Sequence, residues 1–236
     1  MLAAVINAIL VLAGSSLGLL LKGKISERLM QSILSGLGLC VLVIGISGAT
    51  KTQNILCVII CMVIGILIGE ALRIEDRLDS LGGLIKDKLK FGSDSGNFTQ
   101  GFMTATLLYC VGSMAITGSM EAGLNNDFSI IISKSVLDAV ASVSLAAALG
   151  IGVCFSALSV LVYQGLLTLL FIFVGFFIPV DAVNEMSAIG GVIIIAIGLN
   201  MFVLPTNKIR CGNMLPAIFL PIAYIPIADF IISLFS

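Results

Sequence analysis

The chain carries very little charge. Aspartate, glutamate, lysine and arginine make up 11% of its 236 residues, against a hydrophobic content of 59% and a mean hydropathy of +1.20. The surface of a soluble domain needs about twice that charge, so an ordinary soluble fold is excluded and an integral membrane protein is expected. Histidine is absent, there is no metal-ligand cluster and no nucleophile elbow, and a membrane aspartyl protease needs two facing aspartates. The chain is therefore expected to be no enzyme and to need no metal or other cofactor. A basic region ahead of the first apolar run is also missing, as is a small-residue cleavage site, so that run reads as a helix that stays in the membrane.

Apolar runs of about twenty residues recur, the length a helix needs to cross a hydrocarbon core of roughly 30 Å. Eight spans are expected: 2–21, 29–49, 55–72, 101–119, 129–152, 156–178, 187–204 and 213–235. A β-barrel is excluded, because its strands alternate polar and apolar residues and these runs do not. The fold expected is all-α, a single transmembrane domain over 1–236. It divides into a three-helix unit (1–72), an amphipathic helix and linker (73–100), a central glycine-rich helix pair (101–152) and a second three-helix unit (153–236).

Basic residues give the orientation. With eight spans, ten of the twelve fall on one side, namely Lys22, Lys24, Arg28, Arg73, Arg77, Lys86, Lys88, Lys90, Lys208 and Arg210. Lys51 falls on the other, where Glu121, Asp127, Asp181 and Glu185 are expected in loops. The positive-inside rule then places both termini outside the cytoplasm, in a bacterial cytoplasmic membrane. Within 73–100, Ile74, Leu78, Leu81, Ile85 and Leu89 recur at helical spacing among charged residues, which predicts an amphipathic helix on the cytoplasmic membrane surface. Cys40, Cys57, Cys61, Cys110, Cys154 and Cys211 lie in or beside apolar runs and read as small buried hydrophobes.

Charge inside a span is the most informative feature. Lys134 and Asp138 lie four residues apart in SIIISKSVLDAVASVSLAAALGIGV, and an ionised side chain near the bilayer centre costs at least roughly 2.5 to 3.5 kcal/mol. Counting from Ser129, Asp138 lies about 13 to 14 Å into the membrane, close to the midplane. Ser142 continues the stripe one turn deeper, so a cation, an anion and a hydroxyl share one column. Such a column has the ingredients of a proton or ion relay; a mutually neutralising ion pair that locks the fold is the structural alternative. The preceding span, with Gly112, Gly118 and Gly123 beside Ser113, Thr117 and Ser119, reads as a full helix or a shorter one with a re-entrant turn that presents backbone groups to a solute. In the last span, Pro221 and Pro226 predict a bent or interrupted helix and Pro216 fits its first turn. Asn7, Gln164, Asn200 and Asp229 read as interhelical hydrogen-bonding groups.

Gly38-LCVLVI-Gly45-Ile-Ser in the second span is echoed by Gly191-VIIIAI-Gly198-Leu-Asn in the seventh. The copies lie five spans apart, an odd offset, so the two three-helix units would run in opposite directions, as inverted repeats do in many secondary transporters. Chance recurrence of glycine is the alternative.

Asn7 with the glycines of the first span, Gly38-Leu39 to Gly45-Ile46, Cys110-Val-Gly112-Ser-Met114-Ala115-Ile116-Thr-Gly118-Ser119 with Gly123-Leu124, and Lys134-Ser135-x-x-Asp138 together resemble the bacterial multi-pass proteins grouped as domain of unknown function 554. The resemblance covers essentially the whole chain. It implies a membrane protein of a family often labelled as transport proteins, with no established substrate. That family commonly has proline after the central glycine, where this chain has Ser113, which weakens the case for a forced helix break there.

The leading function expected is a carrier for a small solute or ion, with Asp138 as coupling carboxylate, Lys134 as counter-charge, and Ser142, Gly112, Ser113, Thr117 and Gly118 beside the path. An oligomeric channel is the alternative within transport, and a structural or lipid-interacting protein the alternative outside it. The lipid bilayer is the expected environment, and glycine-rich helix faces suggest a homodimer or small homo-oligomer. No nucleic-acid partner is expected, since topology accounts for the basic residues.

Overall fold

The computed structural model describes residues 2–24, 26–88, 98–202 and 208–235, and every regular element among them is helical. The α-helices are α1 (Leu2–Leu21), α2 (Glu27–Ala49), α3 (Ile55–Leu72), α4 (Ile74–Lys88), α5 (Phe98–Val111), α6 (Ser113–Leu124), α7 (Ser129–Leu149), α8 (Gly152–Val174), α9 (Val180–Asn200) and α10 (Pro221–Phe235). Short 3-10 helices follow α8 (Gly175–Phe177) and precede α10 (Cys211–Phe219). Six helices are individually long and apolar enough to cross a membrane, and eight spans result if α5 with α6, and the second 3-10 helix with α10, each count as one bent span.

Local chemistry sets several helix ends. The Ser26 hydroxyl accepts from Leu29 N and starts α2, and Asn54 Oδ1 accepts from Cys57 N and starts α3. Gly150, at φ +83°, ends α7 in a backbone region that L side chains avoid and lets α8 begin at once. Arg73 takes φ +49° between α3 and α4.

Packing depends on small residues. Ala4, Ala8, Val11, Gly14 and Gly18 form the buried stripe of α1, and a Cβ on Gly14 or Gly18 would clash with the carbonyls of Ala139 and Val143. Because the numbers rise together, α1 and α7 run parallel. On α2 and α9 they run in opposition: Gly38 lies against Phe202, Gly45 against Ile195, Leu42 against Gly198 and Ala49 against Gly191. These helices are antiparallel, and the glycines of both sequence copies form their contact. The core gathers on α9, whose Met186, Ile189 and Ile193 are fully buried. A second cluster joins α1, α5, α7 and α8 around Val11, Tyr109 and Leu145.

The structure corrects several sequence expectations. The seventh span begins at Val180 rather than 187, so Asp181 and Glu185 belong to α9. Asp181 stands in the first turn, where the helix dipole favours an acid. Glu185 is only 2% exposed. It is satisfied by Thr52 Oγ1 at 2.6 Å, Gln53 N at 2.8 Å and Asn54 N at 3.0 Å, so a carboxylate that looked like a loop residue pins the α2–α3 turn. Glu121 also lies in a helix, α6, and only Asp127 of the four acids falls between helices.

The fourth span is two helices, bent by 52° at the break, and Gly112 marks that break. The last span is bent by 44°. Pro216 sits inside its 3-10 helix, Pro221 opens α10, and the Ala217 carbonyl, deprived of its helical donor by Pro221, accepts from Leu220 N at 3.3 Å instead. The amphipathic helix forms as α4, with Leu78 packed on the core; Leu89, Lys90 and the linker fall outside the described residues. Cys57, Cys61, Cys110 and Cys211 are buried as expected, but Cys154 is half-buried and Cys40 is exposed on the outer face of α2.

Candidate functional site

Lys134, Asp138 and Ser142 share the buried face of α7. The Lys134 ammonium donates to Asp138 Oδ2. The same oxygen accepts from Asn7 Nδ2, on α1, at 3.0 Å, and this amide also donates to Gln164 Oε1, on α8, at 3.0 Å. Asn7 and Gln164 are 0% exposed, Lys134 4% and Asp138 7%. The carboxylate fixes the orientation of both amides: Asn7 must turn its NH2 toward an anion, and Gln164 must then turn its oxygen toward that NH2.

A fourth helix joins from the other side. Tyr109 OH, on α5, lies 2.9 Å from Ser142 Oγ, and the Lys134 ammonium stands 6.0 Å from the centre of the Tyr109 ring, at the edge of cation–π range. Side chains from α1, α5, α7 and α8 thus converge on one ion pair inside apolar helices.

Not every polar atom here is satisfied. Asn7 Oδ1, Gln164 Nε2, Thr106 Oγ1, Ser119 Oγ and Tyr163 OH are buried without a hydrogen-bond partner. Buried polar groups are nearly always paired, because an unmade bond costs about 1–3 kcal/mol. Asn7, bonded to the Asp138 carboxylate, and Gln164, bonded to Asn7, leave one acceptor and one donor unused. The arrangement therefore keeps one acceptor and one donor available beside the ion pair.

The residues expected from the preceding span lie differently. Gly118, on α6, packs against Ile130 and Ile131 of α7, about one turn before Lys134. Gly112 lies nearest Ile194 of α9, with Ser113 beginning the next helix. Thr117 is half-buried on α6. The carboxylate's hydrogen bonds run within α7 and to α1.

Asn7 and Gln164 were legible only as hydrogen-bonding groups, and Tyr109 carried no sequence expectation. The signal for Tyr109 is a phenol in an apolar helix, which must find a partner.

A multi-helix bundle with a charged pair enclosed among apolar helices defines an integral membrane protein. The family model described as "Protein of unknown function (DUF554)" matches residues 2–225, and the chain belongs to that family. It is 28% identical over 240 residues to the "Uncharacterized membrane protein YdfK" of Bacillus subtilis (strain 168), covering 100% of this chain and 99% of the relative. It is 31% identical over 221 residues to the "Uncharacterized protein YqgA" of Escherichia coli (strain K12), covering 91% and 92% respectively. No solved structure matches.

Proposed function

We propose that this membrane protein is a secondary carrier of a small solute or ion rather than an enzyme or a channel, with Asp138 as the coupling carboxylate and Lys134 as its counter-charge. The observation that carries this reading is the ion pair itself. It is buried among four helices and bonded through Asn7 to Gln164, with Asn7 Oδ1 and Gln164 Nε2 unpartnered. Charge at this depth is costly unless it serves a path or a partner. In the proposed cycle, a proton or cation on Asp138 competes with Lys134 and Asn7, and losing those bonds frees α1 to move against α7.

Two further observations support the carrier reading. Gly38 and Gly191 are 153 residues apart. The same step carries Leu21, the last residue of α1, onto Val174, the last of α8, and Glu27, the first of α2, onto Val180, the first of α9. With α2 and α9 antiparallel, this favours two inverted three-helix units, the design that lets a carrier exchange outward and inward openings. Two spans are also broken, at Gly112 and ahead of Pro221. Such breaks are tolerated where protein or water covers the backbone. The asymmetry of basic residues supports the bacterial cytoplasmic membrane, with both termini outside the cytoplasm.

The test is a thermal-shift screen of the detergent-purified protein against small cations, organic acids and amino acids, followed by uptake of any hit into proteoliposomes. Binding to the folded state at a hundred times the dissociation constant adds about 2.7 kcal/mol of stability. A shift and an uptake that both vanish in Asp138→Asn support the carrier. The closeness of Lys134 and Asp138 within one helix favours a second reading, a structural lock. Restored folding in Lys134→Met/Asp138→Leu with unchanged uptake would establish that reading and sink the first.

A further inference from the structure

A cavity of about 380 Å³ opens at the end of the bundle where α9 finishes and α5 begins. Its lining includes Glu75 and Asp79 from α4, Lys208 from the α9–α10 connection, and Met103, Leu107 and Ile197 from α5 and α9. The volume is that of a small-molecule pocket. The lining carries two carboxylates, one ammonium, the polar side chains of Thr99, Gln100 and Thr104, and aliphatic side chains.

Glu75 is held in place from both sides. Glu75 N donates to Asn213 Oδ1 at 2.8 Å, and Glu75 Oε2 accepts from Gly212 N. These bonds tie the first turn of α4 to the start of the 3-10 helix. Asp79 stands one helical turn further on, the spacing at which side chains share a face. Another stretch of the lining is equally fixed, because the Asn200 side chain donates to Ile209 O and accepts from Ile209 N, both at 2.8 Å.

Charge around the cavity is incompletely balanced. Burial is the main reason that the Glu75 and Asp79 carboxyls both titrate above the ordinary carboxylate range, and neighbouring acids add to it: Asp79 and Asp76 act on Glu75, and Asp76 acts on Asp79. Lys208 and Arg210 pull the other way without cancelling the rise, and Arg210 also reaches Glu70 at 3.5 Å.

Alternative occupants fit less well. Among the described residues no group of three or more His, Cys, Asp or Glu side chains could hold a metal ion, and a bare hard cation wants six or more oxygens. An anion would meet two carboxylates, and a wholly apolar solute would bury them without a partner. A positive head joined to a hydrocarbon body satisfies both the carboxylates and the aliphatic side chains.

We propose that this cavity binds a small aliphatic ammonium compound, with the ammonium on Glu75 and Asp79 and the hydrocarbon on Met103, Leu107 and Ile197. Lys208 lies on the same lining, where it takes the carboxylate if the compound is an amino acid. The site is separate from the Asp138 cluster, and binding to it requires no transport cycle.

The experiment is calorimetric titration of the full-length detergent-purified protein with n-butylamine, L-leucine, isocaproate and potassium chloride. Saturable binding of butylamine or leucine is expected, with none for isocaproate or potassium. Asp79→Asn should weaken it by about tenfold or more, the worth of a charge-assisted contact. Glu75→Gln is a poorer probe because it also disturbs the Gly212 anchor. Lys208→Gln separates the sources: it weakens leucine and spares butylamine if the natural ligand is an amino acid, and spares both if it is a simple amine. The proposal is overturned if neither ammonium compound binds, if isocaproate binds as well, or if Asp79→Asn and a cavity-filling Met103→Trp both leave binding intact. Should Asp79→Asn fail to fold, discrimination of butylamine from isocaproate by the unmodified protein decides the question.

Discussion

Asn7 donates to Asp138 across the α1–α7 contact at 3.0 Å, on the same carboxylate oxygen that takes the Lys134 ammonium. That oxygen is the junction of an intrahelical ion pair with an interhelical hydrogen bond. Any event that neutralises the carboxylate weakens both together.

Asp138→Asn removes the counter-charge and leaves Lys134 buried. Breaking one partner of a buried pair costs about 3–5 kcal/mol, so the apparent Tm in detergent should fall well below that of the unmodified protein. Lys134→Met/Asp138→Leu should recover most of the loss, while uptake stays abolished if the pair works as proposed.

Asn7→Ala deletes the bonds to both Asp138 and Gln164 while keeping the small size that α1 needs here. Each buried group left unpaired costs about 1–3 kcal/mol. A fall in Tm of that order is expected, and a Gln164→Leu background should reduce it, because the amide oxygen that Asn7 satisfied is then gone. Equal losses in the two backgrounds would show that the Asn7–Gln164 contact contributes nothing.

Glycine substitutions should divide sharply by position. Gly14→Leu drives a side chain into the Ala139 carbonyl and should separate α1 from α7, seen as loss of folded yield on size-exclusion chromatography. Gly36→Ala meets nothing within 4 Å. In a helix interior that change should raise stability by about 0.5–1 kcal/mol.

Glu185→Ala withdraws the acceptor of Thr52 Oγ1, Gln53 N and Asn54 N. Faster hydrogen exchange of the 53 and 54 amides is expected, localised to the α2–α3 turn. Unchanged exchange there would show that solvent, rather than Glu185, satisfies the turn.

For Glu75 the sign of the pH effect follows from its raised pKa, caused first by burial. The folded state holds the proton to higher pH than the unfolded chain does. Stability is therefore greatest below the ordinary glutamate value and declines as pH rises from there through the folded pKa. Glu75→Gln should flatten its share of that decline in a Tm-versus-pH series, leaving the share due to Asp79, whose pKa is raised in the same direction. A steeper decline in the variant would contradict this.

Much of the architecture was legible because hydropathy is a local property. Six of the eight expected spans correspond to single helices, some with ends moved by several residues. The errors cluster where a polar residue finds a distant partner. Glu185 looked like a loop residue, since nothing near it in sequence shows that the 52–54 turn supplies three donors. The break at Gly112 was only one of two options, because a lone glycine permits a break without forcing it.

The sequence by itself determined a helical membrane protein with a Lys134–Asp138 pair inside a span, because apolar length and buried charge are decided within about twenty residues. Tertiary structure alone decided the rest of the site. Asn7 lies 131 residues from Asp138 and 157 from Gln164, and Tyr109 reaches Ser142 across a separation of 33. The physical reason is that hydrogen-bond partners on different helices are set by which glycine and alanine faces let those helices approach, and no local periodicity records that choice.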